Sequence, residues 1–119
     1  MKTGSALFKH PHLNYNEQRA IGSILAGAPN FGQLSKILLY GSKARGDSFE
    51  ESDIDLLFIT SGPVSLQLKF EIYDFVYEIE VENDVVISVV FAASEAFEAG
   101  AVSFLRNVRR EGITLWSIG

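Results

Sequence analysis

The chain has 119 residues, the usual length of one domain, and its 47% hydrophobic and 21% charged residues are typical of a folded globular protein rather than a disordered one. Fifteen acidic residues against ten basic ones give a net charge of −5, which argues against stable nucleic-acid binding, because that binding depends on clustered Lys and Arg. The absence of cysteine excludes disulfides, thiolate metal sites and a cysteine nucleophile. We therefore expect a single domain over residues 1–119, located in the cytoplasm, with no membrane-spanning segment.

The N-terminal part of the chain predicts an arm followed by a helix. Residues 1–14 show no clear period and are expected to form the arm. A helix is predicted over residues 16–26, with an apolar side made of Ile21, Ile24 and Leu25. The run Gly27-Ala28-Pro29-Asn30 is expected to end it.

Two strands with a polar segment between them are predicted next. After a turn at residues 31–35, the apolar run Ile37-Leu38-Leu39-Tyr40 has strand length and stops at Gly41, which predicts a buried central strand. A polar stretch over residues 48–52 precedes a second predicted strand, Asp53 to Thr60.

The middle of the chain predicts a long helix. Pro63 suits its first position, and polar residues then recur at helical spacing as far as Ile79, namely Gln67, Glu71, Asp74 and Glu78. Three aromatic residues share one of its faces and are expected in the core, although a subunit contact is an alternative: Phe70, Tyr73 and Tyr77.

The C-terminal part alternates strand and helix again. Val85 to Phe91 predicts a third strand after an Asn-Asp turn, and Ser94 with the following glutamates marks a helix start. A further helical face is indicated before the stop at Gly112 by Ala101, Phe104, Leu105 and Val108. Residues 113–116 form a short closing apolar element. The alternation of strands with helices predicts the α/β (α+β) class, a small mixed sheet flanked by helices.

Asp53 and Asp55 are the first candidates for chemistry. Side chains alternate along a strand, so both carboxylates point to one face with their Cα atoms about 6.6 Å apart. Two carboxylates close to an apolar core are stabilised by a cation between them, and Mg²⁺ prefers oxygen ligands. The pair predicts a divalent metal site; the alternative is an ordinary polar loop end.

The segment from Gly41 to Asp47, GSKARGD, is the second candidate. Glycine at position 41 lets the backbone approach a phosphate, and the turn after it can present amide N–H groups. Ser42 belongs to that turn, and Lys43 and Arg45 could neutralise phosphate oxygens. The alternative for both cations is a solvated surface turn.

Together these residues resemble a known family. Gly41-Ser42, then ten residues, then Asp53-Ile54-Asp55-Leu56 is similar to the motif of the polymerase β type nucleotidyltransferases. The fuller string from Gly41 to Leu57 looks most like the minimal nucleotidyltransferases, which are often the antitoxin partners of HEPN-type toxins. The closing segment from Val108 to Ile113 also resembles the tail of such domains.

The resemblance implies a palm-like mixed sheet in which Asp53 and Asp55 hold two Mg²⁺ ions and Ser42, with the adjacent backbone, grips the triphosphate. It further implies transfer of AMP from ATP to a tyrosine hydroxyl of a HEPN-type toxin partner. In-line displacement of this kind works by positioning and charge neutralisation, without a covalent protein intermediate.

One departure from the family pattern concerns a third carboxylate, which the family places on a later strand. The run Val85 to Phe91 contains none. Asp84 at its entrance is the nearest candidate, with Glu82 or Glu80 behind it, and the alternative for Asp84 is a simple turn residue. If Ser88 holds the family position instead, the metal site is weaker.

The sequence favours the first of three functions and leaves the other two as alternatives. The first is transfer of AMP to a protein partner, and the second is a catalytically silent interaction module that neutralises its partner by binding. The third is an aminoglycoside-type enzyme acting on a small molecule, which would need a second subunit to complete its acceptor pocket. A homo- or hetero-oligomer is compatible with each of them.

Overall fold

The computed structural model describes residues 6–47 and 52–118. Within them the chain forms five α-helices, a 3-10 turn at Ala28–Asn30 and four strands. The helices are α1 (Tyr15–Gly27), α2 (Ser42–Arg45), α3 (Leu66–Asn83), α4 (Ser94–Ala99) and α5 (Ser103–Glu111). The strands are β1 (Leu34–Tyr40), β2 (Ile54–Thr60), β3 (Ile87–Ala93) and β4 (Ile113–Ser117).

The four strands make one mixed sheet in the order β3-β2-β1-β4. Strand β1 runs antiparallel to both β2 and β4, whereas β2 and β3 are parallel. Helix α3 connects these two parallel strands, as a crossover connection requires. The predicted mixed sheet flanked by helices is therefore confirmed, and β1 and β2 are its two central strands.

Each face of the sheet has its own apolar layer, because side chains alternate along the strands. Ile37, Leu39, Leu56 and Phe58 lie in one cluster with buried residues of α1 and α3. Leu38, Leu57 and Ile59 point the other way and pack with residues of α4 and α5, namely Phe97, Leu105 and Val108. The α4/α5 face is the one on which Asp55 lies, by the same alternation.

Helix α3 begins at Leu66, so the prediction that Pro63 is its first residue is wrong. Ser65 is the N-cap, and its hydroxyl accepts a hydrogen bond from the backbone N–H of Leu68 at 3.1 Å. A serine cap satisfies a first-turn amide that Pro63, two residues earlier, could not reach.

The prediction that Phe70, Tyr73 and Tyr77 lie in the core is also wrong. Their side chains are 58%, 44% and 64% exposed. Helix α3 carries a second apolar stripe that is buried instead: Leu68, Ile72, Val76 and Ile79. Periodicity alone shows both stripes and does not say which one faces the sheet.

Several boundaries differ from expectation. Strand β1 starts at Leu34, inside the predicted turn, and β3 starts at Ile87 rather than Val85. The expected N-terminal arm and the polar stretch before Asp53 lie partly outside the described residues. No helix within the two described ranges is both long and apolar enough to cross a membrane.

Candidate active site

The turn after β1 is built around a glycine in an unusual conformation. Gly41 has φ 76° and ψ −157°, a combination open essentially to glycine alone. Ser42 to Arg45 then form a single helical turn that ends at Gly46, which is also left-handed. Within this turn the backbone N–H groups of Ala44 and Arg45 both donate to the carbonyl of Gly41 at 3.1 Å.

Asp55 lies directly against this turn. It is the cross-strand neighbour of Tyr40, the last residue of β1. A Cβ built on Gly41 would lie 2.5 Å from Oδ2 of Asp55, so the missing side chain is what allows the carboxylate to sit there. The structure therefore brings Gly41, Ser42 and the acidic strand together, and Asp53 precedes Asp55 by two residues at the entrance of β2.

The carboxylate of Asp55 is partly buried and lies near a second negative charge. Burial raises the pKa of Asp55, and the charge of Asp53 raises it further, while Arg45 partly lowers it. Tyr40 is affected in the same direction, since burial and the charge of Asp55 raise the pKa of its phenol. A divalent cation between Asp53 and Asp55 would relieve the repulsion between them.

Arg45 stands on the exposed side of the turn. Its Nε donates to Oδ2 of Asp47 at 3.1 Å, and its Nη1 lies 3.8 Å from Oε1 of Glu111 at the end of α5. The hydrogen bond to Asp47 is the main cause of the raised pKa of Arg45, with smaller contributions from Glu111 and Asp55. The guanidinium is thus accessible and close enough to the acidic pair to influence it.

Lys43 is placed differently. Its side chain is buried, and Nζ lies 2.7 Å from Oε2 of Glu17 in α1. A direct phosphate contact by Lys43 would therefore require its ammonium to leave this ion pair.

Among the described residues, no third carboxylate gathers with Asp53 and Asp55. Asp84 is the left-handed C-cap of α3 and is exposed, which is a turn role. The residue paired with Asp55 on β3 is Ser88, and neighbouring strands are about 4.8 Å apart. In residues 6–47 and 52–118, no three Asp, Glu, His or Cys side chains gather closely enough to hold a metal ion. The fit to Mg²⁺ therefore depends on Asp53 and Asp55.

Two residues near this site were missed by sequence reasoning, Glu17 and Glu111. Glu111 lies 66 positions after Arg45, and no local pattern indicates the contact. Glu17, in contrast, could have been found: it lies four and seven residues before Ile21 and Ile24, on the apolar side of α1, and forms an Asn14-x-x-Glu17 capping pattern.

Comparisons with known proteins show which sequences and folds this chain resembles. The polymerase beta nucleotidyltransferase family model matches residues 23–117. The chain is 36% identical over 104 residues to the "Putative protein adenylyltransferase MJ0604" of Methanocaldococcus jannaschii, covering 85% of this chain and 99% of that protein.

Solved structures show the same fold. A crystal structure of a toxin-antitoxin with AMP-PNP matches with a TM-score of 0.60 at 18% identity, over 82% of this chain and 73% of that one. A tri-AMPylated Shewanella oneidensis HEPN toxin in complex with MNT antitoxin matches with a TM-score of 0.54 at 18% identity, over 83% and 71% of the two chains. With the family match over most of its length, the chain belongs to the polymerase beta nucleotidyltransferase family.

Proposed function

We propose that this nucleotidyltransferase transfers AMP from ATP to a hydroxyl group of a protein partner, as the antitoxin of a HEPN-type toxin. The observation that carries the proposal is the close approach of the Asp55 carboxylate to Gly41, which brings the strand proposed to bind metal against the turn proposed to bind phosphate. The name of the M. jannaschii relative and the tri-AMPylated toxin in the Shewanella complex support the choice of a protein acceptor.

Each residue of the proposed site has a distinct role. Asp53 and Asp55 would hold Mg²⁺, two ions by analogy with the family, which would neutralise charge on the triphosphate and on the attacking oxygen. Gly41 and Ser42 receive the β- and γ-phosphates, and Arg45 supplies an exposed guanidinium beside them. The acceptor oxygen bonds to the α-phosphorus and the bond from that phosphorus to the bridging oxygen breaks, so that pyrophosphate leaves with the electron pair. The proton of the acceptor hydroxyl passes to solvent water.

Mass spectrometry tests the proposal. The protein is incubated with Mg·ATP and the partner that co-purifies with it, beside the D53N/D55N variant. A matched control, D74N/E78Q, removes the same number of charges from the exposed side of α3. We expect the partner to gain AMP units with the wild type and with the control, and none with D53N/D55N. Tight Mg·ATP binding by D53N/D55N would contradict the site assignment.

A second candidate function is favoured by one observation, the serine beside Asp55. If Ser88 leaves the metal site too weak for catalysis, the protein neutralises its partner by binding alone. A stable complex without any AMP gain would support this reading. The Ser88→Asp variant, which places a carboxylate on the same face as Asp55, would then be expected to gain labelling activity.

A further inference from the structure

The ion pair between Glu17 and Lys43 is almost completely withdrawn from solvent. The side chains of Lys43 and Glu17 are 3% and 5% exposed, and Nζ and Oε2 are 2.7 Å apart. Buried charges of this kind are kept only when their geometry is good and their other polar groups are satisfied. The pair joins α1 to α2 through a contact inside the protein.

The second carboxylate oxygen of Glu17 is also occupied. Oε1 accepts a hydrogen bond from the backbone N–H of Asn14 at 2.9 Å, while the side chain of Asn14 accepts from the N–H of Glu17 at 2.8 Å. This capping box fixes the carboxylate at the start of α1. Ala20 and Ile21 of the same helix are fully buried, so the part of α1 that carries Glu17 packs into the core.

Helix α2, in contrast, has little support of its own. It is one turn of four residues between two glycines with positive φ, Gly41 and Gly46, and a helix this short does not persist unaided. A Cβ on Gly46 would lie 2.5 Å from the ring of His12, so the segment before α1 also contacts the end of the turn. Contacts from the N-terminal part of the chain thus hold α2 in place.

We propose that Glu17 is a positioning residue: by holding Lys43 inside the protein, it sets the orientation of the Gly41–Ser42 backbone relative to Asp55. In this proposal the Lys43 side chain contacts Glu17 inside the protein and does not bind phosphate. The inference rests on the proposed function, because it concerns how the same site receives a nucleoside triphosphate.

The test compares Glu17→Gln, the double variant E17Q/K43M and a control, Val76→Ala. Gln keeps the oxygen that accepts from Asn14 but removes the negative charge beside the Lys43 ammonium. Met in place of Lys43 removes that buried positive charge. Val76 is buried in α3, so its truncation destabilises the core without touching either member of the pair. Calorimetric titration with Mg·ATP is done well below each variant's Tm.

For Glu17→Gln we expect the Kd for Mg·ATP to rise about tenfold or more, because small displacements of a binding group are costly. Val76→Ala should lower Tm and leave this Kd unchanged, and E17Q/K43M should recover binding to within about threefold of the wild type. An unchanged Kd in Glu17→Gln overturns the inference, as does lost binding in the double variant, which would make Lys43 a direct ligand.

Hydrogen exchange gives a readout that does not need the nucleotide. The amide of Gly46 donates to the carbonyl of Ser42 at 2.8 Å, and Glu17→Gln should speed its exchange while Val76→Ala should not. If the wild type fails to bind Mg·ATP, the proposed function fails and this measurement still decides the positioning role. Equal exchange in Glu17→Gln and the wild type would overturn it.

Discussion

Gly41 is the residue on which the site's geometry depends most directly. Its backbone angles are those of glycine alone, and its missing Cβ makes room for Oδ2 of Asp55. Gly41→Ala should therefore cost about 1–3 kcal/mol of stability through backbone strain and abolish Mg·ATP binding by displacing the carboxylate. Thermal denaturation and calorimetric titration measure the two effects.

Gly32→Ala is the matched control, because a Cβ there meets no atom within 4 Å and the backbone is not left-handed. It should change stability by less than about 0.5 kcal/mol. Equal behaviour of the two alanine variants would refute the strain argument.

Asp55 gives a prediction about pH. Burial, and then Asp53, hold its folded-state pKa above that of the unfolded chain. The charged carboxylate therefore disfavours folding once the pH exceeds the unfolded value of about 4, and this penalty is complete above the folded pKa. In EDTA, Asp55→Asn should be more stable than the wild type at neutral pH, by on the order of 0.5 kcal/mol after solvent screening.

The advantage of Asp55→Asn should vanish as the pH falls below about 4, where the wild-type carboxyl is protonated in both states. Added Mg²⁺ should reverse the order of stability at neutral pH, since only the wild type keeps both proposed metal ligands, Asp53 and Asp55. Melting curves recorded across pH with and without Mg²⁺ provide the measurement. If the wild type and Asp55→Asn had the same melting curve at neutral pH in EDTA, burial and the charge of Asp53 would not destabilise the charged Asp55.

At the scale of single residues, the sequence predicted those parts of the site that lie close together along the chain. Gly41, Ser42, Asp53 and Asp55 stand in a short motif, so their chemistry could be proposed without coordinates. The Glu17–Lys43 pair joins residues 26 positions apart, and lysine is normally exposed, so a surface role was the natural expectation for Lys43. Whether a carboxylate or Ser88 faces Asp55 depended on strand register, which no local pattern fixes.

Among the elements, α3 shows what the periodicity of apolar residues can predict and what it cannot. The pattern predicted the helix correctly. However, both of its apolar stripes repeat at helical spacing, so the spacing does not tell which stripe is buried. Only the packing of α3 against β1, β2 and α1 selects Leu68, Ile72, Val76 and Ile79 for burial. The errors in the predicted ends of helices and strands have a similar origin. Several residues close together can each begin a helix, as Pro63 and Ser65 could here, and the sequence does not show which one is used.

A pair of substitutions on α3 measures this difference. Ile72 is fully buried and Tyr77 is 64% exposed. Ile72→Ala should cost about 2–5 kcal/mol through lost burial and the cavity left behind, whereas Tyr77→Ala should cost less than about 1 kcal/mol. Chemical denaturation with both variants checks the assignment, and a large loss in Tyr77→Ala would mean that this stripe is covered in solution.

At the scale of the whole molecule, the candidate site joins elements that are distant in sequence. The turn follows β1, the carboxylates begin β2, Ser88 comes from β3, and Glu111 closes α5 beside Arg45. The N-terminal segment contacts the turn through Glu17 and His12. A ligand bound at this junction contacts several elements at once, so its binding free energy should stabilise the domain as a unit.

Mg·ATP should therefore shift the thermal unfolding of the whole domain. At a free concentration of about one hundred times Kd, binding to the folded state alone adds about 2.7 kcal/mol, or roughly 10 °C in Tm for a domain of this length. The shift should need both Mg²⁺ and ATP, because the carboxylates repel the triphosphate when no cation lies between them. D53N/D55N should show no Mg²⁺-dependent shift, while D74N/E78Q should respond like the wild type. A full shift in D53N/D55N would place the nucleotide elsewhere, since these carboxylates are the proposed ligands of the metal beside the Gly41–Ser42 turn.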